Sequence, residues 1–294
     1  MRIPRRPAPL RAGILLAVTV LALAACQGQP KAASEPSFAP GTTMADLSGA
    51  GKITIAVKYD QPGFGAASEA GPPEGFDVEI GKLIAGGLGL GPQDITWARA
   101  TSSNREELLE QGRADLVIAT YTMNEARQDR VGFAGPYYIA GQQIMVRSAD
   151  ADITGPDDLH NDPSLKVCST TGSTPAAAIE RYLIRPGQLV TKDGYADCAQ
   201  ALSEGEVQAV TTDNAILLGL ISASDGEFKI VGDPFTEEPY GIGIVKGDRE
   251  FCTFIAETLS QTARNGSYDR AWASTAGLIP EARTPSLPQL DPCA

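Results

Sequence analysis

The chain has 294 residues, with 24 Lys and Arg against 36 Asp and Glu, a formal net charge of −12, five cysteines and one histidine. So acidic a surface repels nucleic acid and anionic lipid, which excludes a basic docking face for either. With one histidine and no two cysteines at close ligand spacing, a metal centre is disfavoured.

Arg2, Arg5, Arg6 and Arg11 precede an apolar run over 14–23 that ends in Leu23-Ala24-Ala25-Cys26. A charged head, a short apolar run and small residues before the break mark an export signal over 1–25, too short for a comfortable membrane span. The cysteine after Leu-Ala-Ala resembles a bacterial lipobox, with Cys26 as the lipid-modified first residue of the mature chain. Removal of 1–25 takes away four arginines and no acids, so the net charge becomes 20 − 36 = −16. Membrane association is then expected from a lipid anchor alone. Residues 26–47 are rich in Ala, Pro, Ser and Gln without periodicity and read as a flexible tether.

The pattern predicts a strand over 53–57, a Gly/Pro-rich loop over 58–74, a helix over 76–84 from the spacing of Phe76, Ile80, Leu83 and Ile84, and a strand over 95–98. Asn104 with Glu107 three residues on predicts a capping-box start for a helix that ends near Gly112. The chain is organised around the stretch from Asp115 to Tyr138. Leu116 to Ala119 is an apolar run suited to a buried strand, and it stops at Thr120-Tyr121-Thr122. Asn124 then caps a helix with Arg127 in its first turn, where a cation opposes the macrodipole unless an anion is shared. Thr120, Thr122 and Arg127 therefore form a candidate carboxylate clamp, against the simpler reading of an exposed surface pair.

Gly112-Arg113-Ala114-Asp115-Leu116-Val117 follows one helix, and Gly205-Glu206-Val207-Gln208-Ala209-Val210 follows another in the same order. Eight residues beyond each glycine stand Thr120 and Asp213, each past its strand. Two α/β units with equivalent strand ends imply a cleft between lobes, with Arg127 on one wall and Asp213 on the other. A strand over 165–169 and a helix from Pro175 frame Ser173 and Thr174, which either cap that helix or hold a ligand carboxylate. An arginine with hydroxyls facing an aspartate matches the two charges of a zwitterionic amino acid, a ligand that would favour closure.

Besides Cys26 there remain Cys168, Cys198, Cys252 and Cys293. An even number in an exported chain points to two disulfides, and four cysteines allow three connectivities. Cys168 with Cys198 and Cys252 with Cys293 is favoured, the first within one lobe, the second stapling a proline-rich tail to a late helix.

Beyond the tether, the chain resembles the family 3 extracellular solute-binding proteins, the amino-acid receptors of ABC importers. The resemblance rests on Glu74-Gly75-Phe76-Asp77-Val78-Glu79-Ile80, on Asp115 through Arg127, on Phe133-Ala134-Gly135-Pro136-Tyr137-Tyr138, on Thr171-Gly172-Ser173-Thr174, on Thr212-Asp213 and on Pro239-Tyr240-Gly241-Ile242-Gly243. It implies an α/β, two-lobed periplasmic-binding-protein fold of type II. Lobe 1 would hold 48–143 and 240–280, lobe 2 144–239, with a tail over 281–294 and hinge strands near 141–146 and 237–241. It also implies a monomer without cofactor, served by a permease and its ATPase. Arg127 would bind the α-carboxylate with Thr120, Thr122 and Ser173 or Thr174, and Asp213 the α-ammonium. The cysteine pattern is similar to that of actinobacterial glutamate-binding lipoproteins, which supports the pairing above.

Lys58 ends the first strand, where glutamate- or aspartate-binding relatives tend to carry a base, and Arg105 would add a second charge. Gln61 and Phe64 are expected at the cleft rim, Gln61 where relatives often place an aromatic ring. The implied ligand is glutamate, ahead of glutamine, aspartate and asparagine. A sensor lipoprotein is the alternative role. A dehydratase on the same scaffold is disfavoured, because His160 follows Asp157-Asp158-Leu159 in a surface turn and no cysteine is left free.

Overall fold

A computed structural model of the chain describes residues 36–68 and 71–293. The export signal, Cys26 and the start of the tether lie outside the described residues. The chain runs through helix α1 (Thr43–Ala50), strands β1 (Ile53–Val57), β2 (Asp60–Gln61) and β3 (Gly65–Ala66), and helix α2 (Phe76–Gly87). Next come β4 (Ile95–Arg99), α3 (Arg105–Glu110), β5 (Leu116–Val117), α4 (Glu125–Gln128) and β6 (Gly132–Ala140). A second set of elements spans β7 (Gln142–Arg147), α5 (Pro156–Asn161), β8 (Val167–Thr170), α6 (Thr174–Ile179), β9 (Leu189–Lys192), α7 (Tyr195–Ser203), β10 (Ala209–Asp213), α8 (Asn214–Ser222) and β11 (Phe228–Val231). The chain then returns through β12 (Glu238–Ile244), α9 (Arg249–Arg264) and α10 (Ser267–Ala273) to an irregular tail.

These elements build two five-stranded sheets, ordered β4-β1-β5-β12-β6 and β11-β7-β10-β8-β9. β1 runs parallel to β4 and β5, and β8 runs parallel to β10 and β9, as helical crossovers require. The chain passes between the sheets twice, at Gly141 and between Val231 and Glu238. The first crossing is the first residue of the expected hinge strand 141–146, which continues as β7; the second lies mostly before the expected strand 237–241, which continues as β12. Both glycines of the repeat hold a left-handed conformation that ends a helix turn, Gly112 at φ 63° and Gly205 at φ 78°.

The first lobe buries Ile53, Ile55 and Val57 of β1 against Phe76, Ile80 and Ile84 of α2, which come from the 3.6-residue spacing. An aromatic cluster extends this core: Tyr138 stacks on Trp272 at 5.4 Å between centroids, and Phe64 meets Tyr138 edge-on at 5.5 Å. The second lobe packs Cys168, Cys198, Leu202, Val210 and Leu217. Both favoured disulfides are present, Cys168–Cys198 joining β8 to α7 and Cys252–Cys293 joining α9 to the tail, with Cα–Cα distances of 5.5 and 5.8 Å. The tail is bound to the first lobe by the Asp291 N–H donating to the Gly135 carbonyl at 2.6 Å.

Three local expectations differ, the first being that His160, read in a surface turn, stands in the last turn of α5, which Pro156 starts. Residues 43–47, read as tether, belong to α1, because Thr42 caps it and Met44 reaches the core of the first lobe. Asn104 does not cap α3; its Oδ1 accepts from the Thr101 N–H at 2.8 Å, and Glu107 pairs with Arg113 instead. Among the described residues no helix is long and apolar enough to cross a membrane.

Candidate binding site

β5 ends against the cleft, and the turn beyond it positions the first wall. Thr120 adopts φ 43°, an uncommon left-handed conformation for a threonine, and donates its N–H to Asp77 Oδ2 at 2.8 Å. Asn124 caps α4 by accepting the Arg127 N–H at 3.0 Å, as its position in the sequence predicts. The Arg127 guanidinium is buried. It donates through Nη1 to the Thr122 carbonyl at 2.6 Å and through Nη2 to the Gly172 carbonyl at 3.2 Å, while Nε lies 3.4 Å from Glu106 Oε1. Burial first, then the charge of Arg105, lowers its pKa to about 10.

Arg105 is a second buried guanidinium, donating to the carbonyls of Ala119 at 3.0 Å and Thr120 at 3.2 Å. Both arginines lie over the Tyr121 ring, at 4.3 Å for Arg105 and 5.1 Å for Arg127. Lys58, 2 % exposed at the end of β1, donates to Ser102 Oγ at 2.8 Å. Burial, reinforced by Arg105, pulls its pKa down to about 7. Three cations thus converge beneath the cleft. Gln61 Oε1 accepts from the Thr120 hydroxyl at 3.0 Å, and two donors here, Gln61 Nε2 and Arg105 Nε, are buried without a protein partner.

The second wall carries the opposite sign. Asp213 closes β10 and precedes α8, and its register opposite Gln142 sets it beside the hinge. Tyr240 donates to Asp213 Oδ2 at 2.6 Å, whereas Oδ1 is buried with no protein partner. Burial, then repulsion from Glu238, raises the Asp213 pKa to about 7. Asp77, fully buried beneath Thr120 and accepting the Tyr137 hydroxyl at 2.6 Å, is also raised to about 7, by burial.

The hydroxyls are placed differently from expectation. Thr122 and Thr174, on different lobes, both donate to Glu238 Oε2, at 2.7 and 2.8 Å, and Thr236 donates to Oε1 at 2.7 Å. The acceptor is a buried carboxylate at the start of β12, which outcompetes neutral partners for these protons. Ser173 takes its alternative role and caps α6, accepting the Ala176 N–H at 3.0 Å. Phe64 is not at the cleft rim: it is 1 % exposed inside the aromatic cluster. Arg127, Thr120, Thr122, Thr174, Lys58, Arg105 and Gln61 are brought together with Asp213.

Glu238, Asp77, Ser102, Tyr121 and Tyr240 escape sequence reading. Asp77 lies in the Glu-Gly-Phe-Asp stretch at a helix start, where an acid already has a local explanation. Glu238 sits in Glu237-Glu238-Pro239, which reads as polar hinge. Only the fold brings them under the site. The arrangement can hold an anion between the guanidiniums and Lys58, and a cation at Asp213. Among the described residues no group of three or more His, Cys, Asp or Glu side chains is placed to hold a metal.

Residues 53–274 match the family model described as bacterial extracellular solute-binding proteins, family 3. The glutamate-binding protein GluB of Corynebacterium efficiens is 39 % identical over 230 residues, covering 75 % of this chain and 77 % of that protein. The glutamine-binding protein of Geobacillus stearothermophilus is 32 % identical over 254 residues, covering 83 % and 95 %. The solved structure of an ancestral arginine-binding protein bound to glutamine superposes with a TM-score of 0.70 at 31 % identity, covering 76 % of this chain and 97 % of that one. The description of the family is one of solute binders. With two lobes joined by two crossings, and opposite charges on facing walls, this chain belongs to the bacterial extracellular solute-binding proteins of family 3.

Proposed function

We propose that the chain is the amino-acid-binding component of an ABC importer and that its ligand is L-glutamate, held by lobe closure and delivered to a membrane permease. In this reading Arg127 binds the α-carboxylate, Asp213 the α-ammonium, and Lys58 with Arg105 the side-chain carboxylate. The observation that carries it is the burial of Lys58. A lysine that is 2 % exposed and bonded only to a serine hydroxyl is costly as a cation, and a ligand carboxylate removes that cost. The charges −1, −1 and +1 of glutamate complement three cations and one unpartnered aspartate oxygen. Glutamine leaves Lys58 uncompensated. The name of the Corynebacterium efficiens relative supports the same ligand. The mature protein would be held on the outer face of the cell membrane by lipid on Cys26, after removal of 1–25.

Calorimetric titration of the mature chain carrying Cys26→Ser, stripped of ligand by unfolding and refolding, tests this against the proteinogenic amino acids. Glutamate should bind about tenfold or more tighter than glutamine. Equal affinities would remove the role of Lys58, and silence across the panel would remove the function.

A further inference from the structure

The two lobes also meet on the outer side of the hairpin that carries Gln61. The hairpin of β2 and β3 is rooted in the first lobe through Phe64, and its outer side touches two helices of the second. Asp60 Oδ2 accepts the N–H of Tyr195, the first residue of α7, at 2.7 Å. Further into the hairpin, the Pro62 carbonyl oxygen would stand 2.2 Å from a Cβ placed on Gly219, in the middle of α8. No real Cβ tolerates that approach.

Gly219 has no conformational reason to be glycine. It lies inside a regular helix, with no left-handed φ, flanked by Leu217, Leu218 and Leu220. Alanine is the better residue for the interior of a helix, so glycine weakens α8. What requires the missing Cβ is the carbonyl of the other lobe. Gly194 shows the same relation to a lesser degree, its Cβ position lying 2.7 Å from Asp60 Oδ2.

We propose that Gly219 and Asp60 are positioning residues for lobe closure. They form a contact outside the proposed ligand contacts that sets how far the second lobe swings onto the first, and so how long the ligand is held. This rests on the reading of the cleft as the amino-acid site. Gly219→Ala separates the contact from the fold, since it favours α8 and obstructs Pro62. In the full mature chain with Cys26→Ser, Gly219→Ala should unfold, without ligand, at or above the wild-type temperature. L-glutamate should bind about tenfold weaker, with the loss in the off-rate, and compaction on ligand addition, read by small-angle scattering, should shrink. Wild-type affinity and compaction would overturn the inference, as would weaker binding accompanied by a lower unfolding temperature, the mark of a merely structural role. If the wild type itself binds no amino acid, the proposed function falls. The contact is then decided by the rate at which Asp60→Cys and Gly194→Cys cross-link on oxidation: slower cross-linking when Gly219→Ala is added upholds it, and equal rates overturn it.

Discussion

Arg127 of the first lobe donates through Nη2 to the main-chain carbonyl of Gly172 in the second, at 3.2 Å. The guanidinium that presents an anion site therefore also bridges the cleft. Ligand recognition and closure share one side chain.

Arg127→Ala should accordingly abolish measurable glutamate binding while the fold survives. A buried charge-assisted contact contributes about 2–5 kcal/mol, enough to weaken binding by more than tenfold at the low end. Arg127→Lys should recover only part, because an ammonium cannot reproduce the planar fork. Calorimetry with circular dichroism as a control for folding checks both, and near-wild-type affinity in Arg127→Ala would remove it from the site.

Glu238 gathers hydroxyls from both lobes and from the hinge. Glu238→Ala leaves Thr122 and Thr174 without their acceptor, at a cost of about 1–3 kcal/mol. The closed complex bears that loss, so stopped-flow measurements should find a faster off-rate and a nearly unchanged on-rate. An effect confined to the on-rate would show that Glu238 has no part in closure.

The buried titrating groups set the pH dependence of the ligand-free protein. Asp213 and Asp77 have pKa values raised from 3.8 to about 7. The folded state keeps protons there that the unfolded state has released, so stability falls as pH rises from 3.8 to about 7. Lys58, lowered from 10.5 to about 7, does the reverse: the unfolded state binds the extra proton, and stability rises with pH above about 7. Chemical denaturation across this range should find a minimum near neutrality. A maximum there would contradict the burial of these groups.

Ligand binding moves the same protons. An α-ammonium beside Asp213 expels its proton, and a side-chain carboxylate beside Lys58 draws one in. Glutamate should therefore exchange few protons near pH 7, whereas glutamine, lacking the second step, should release them. Calorimetry in buffers of different ionisation enthalpy reads the difference; equal release by both ligands would separate Lys58 from the side chain.

The Cys252–Cys293 bridge closes a loop of 41 residues by sequence separation. Cys252→Ser with Cys293→Ser should lower stability by about 3–4 kcal/mol in the chain-entropy account and leave glutamate affinity unchanged, since the tail lies on the first lobe. Denaturant titration and calorimetry together check this.

Much of the architecture is legible in local pattern. The strand over 53–57, α2, the cap at Asn124 and the placement of Arg127 come from apolar period and capping chemistry, which act within a few residues. The repeat about Gly112 and Gly205 locates Asp213 without any contact being known. What stays hidden is non-local. Whether Thr122 donates to a ligand or to Glu238 depends on a residue 116 positions away. Phe64 reads as a loop residue, yet the later part of the chain supplies Tyr240 and Trp272 to enclose it. Residues 43–47 look like linker by composition and gain their helix only where α9 offers a surface.

The order of strands bears on how the protein is made. β12 stands between β5 and β6, although about a hundred residues separate it from them in the chain. During synthesis the first sheet therefore stays split, its position between β5 and β6 unfilled, until residue 244 is available. The second sheet needs only β7 to β11, a continuous segment complete before β12 exists. The middle of the chain can fold first, and the lobe that starts the chain is the last to be finished.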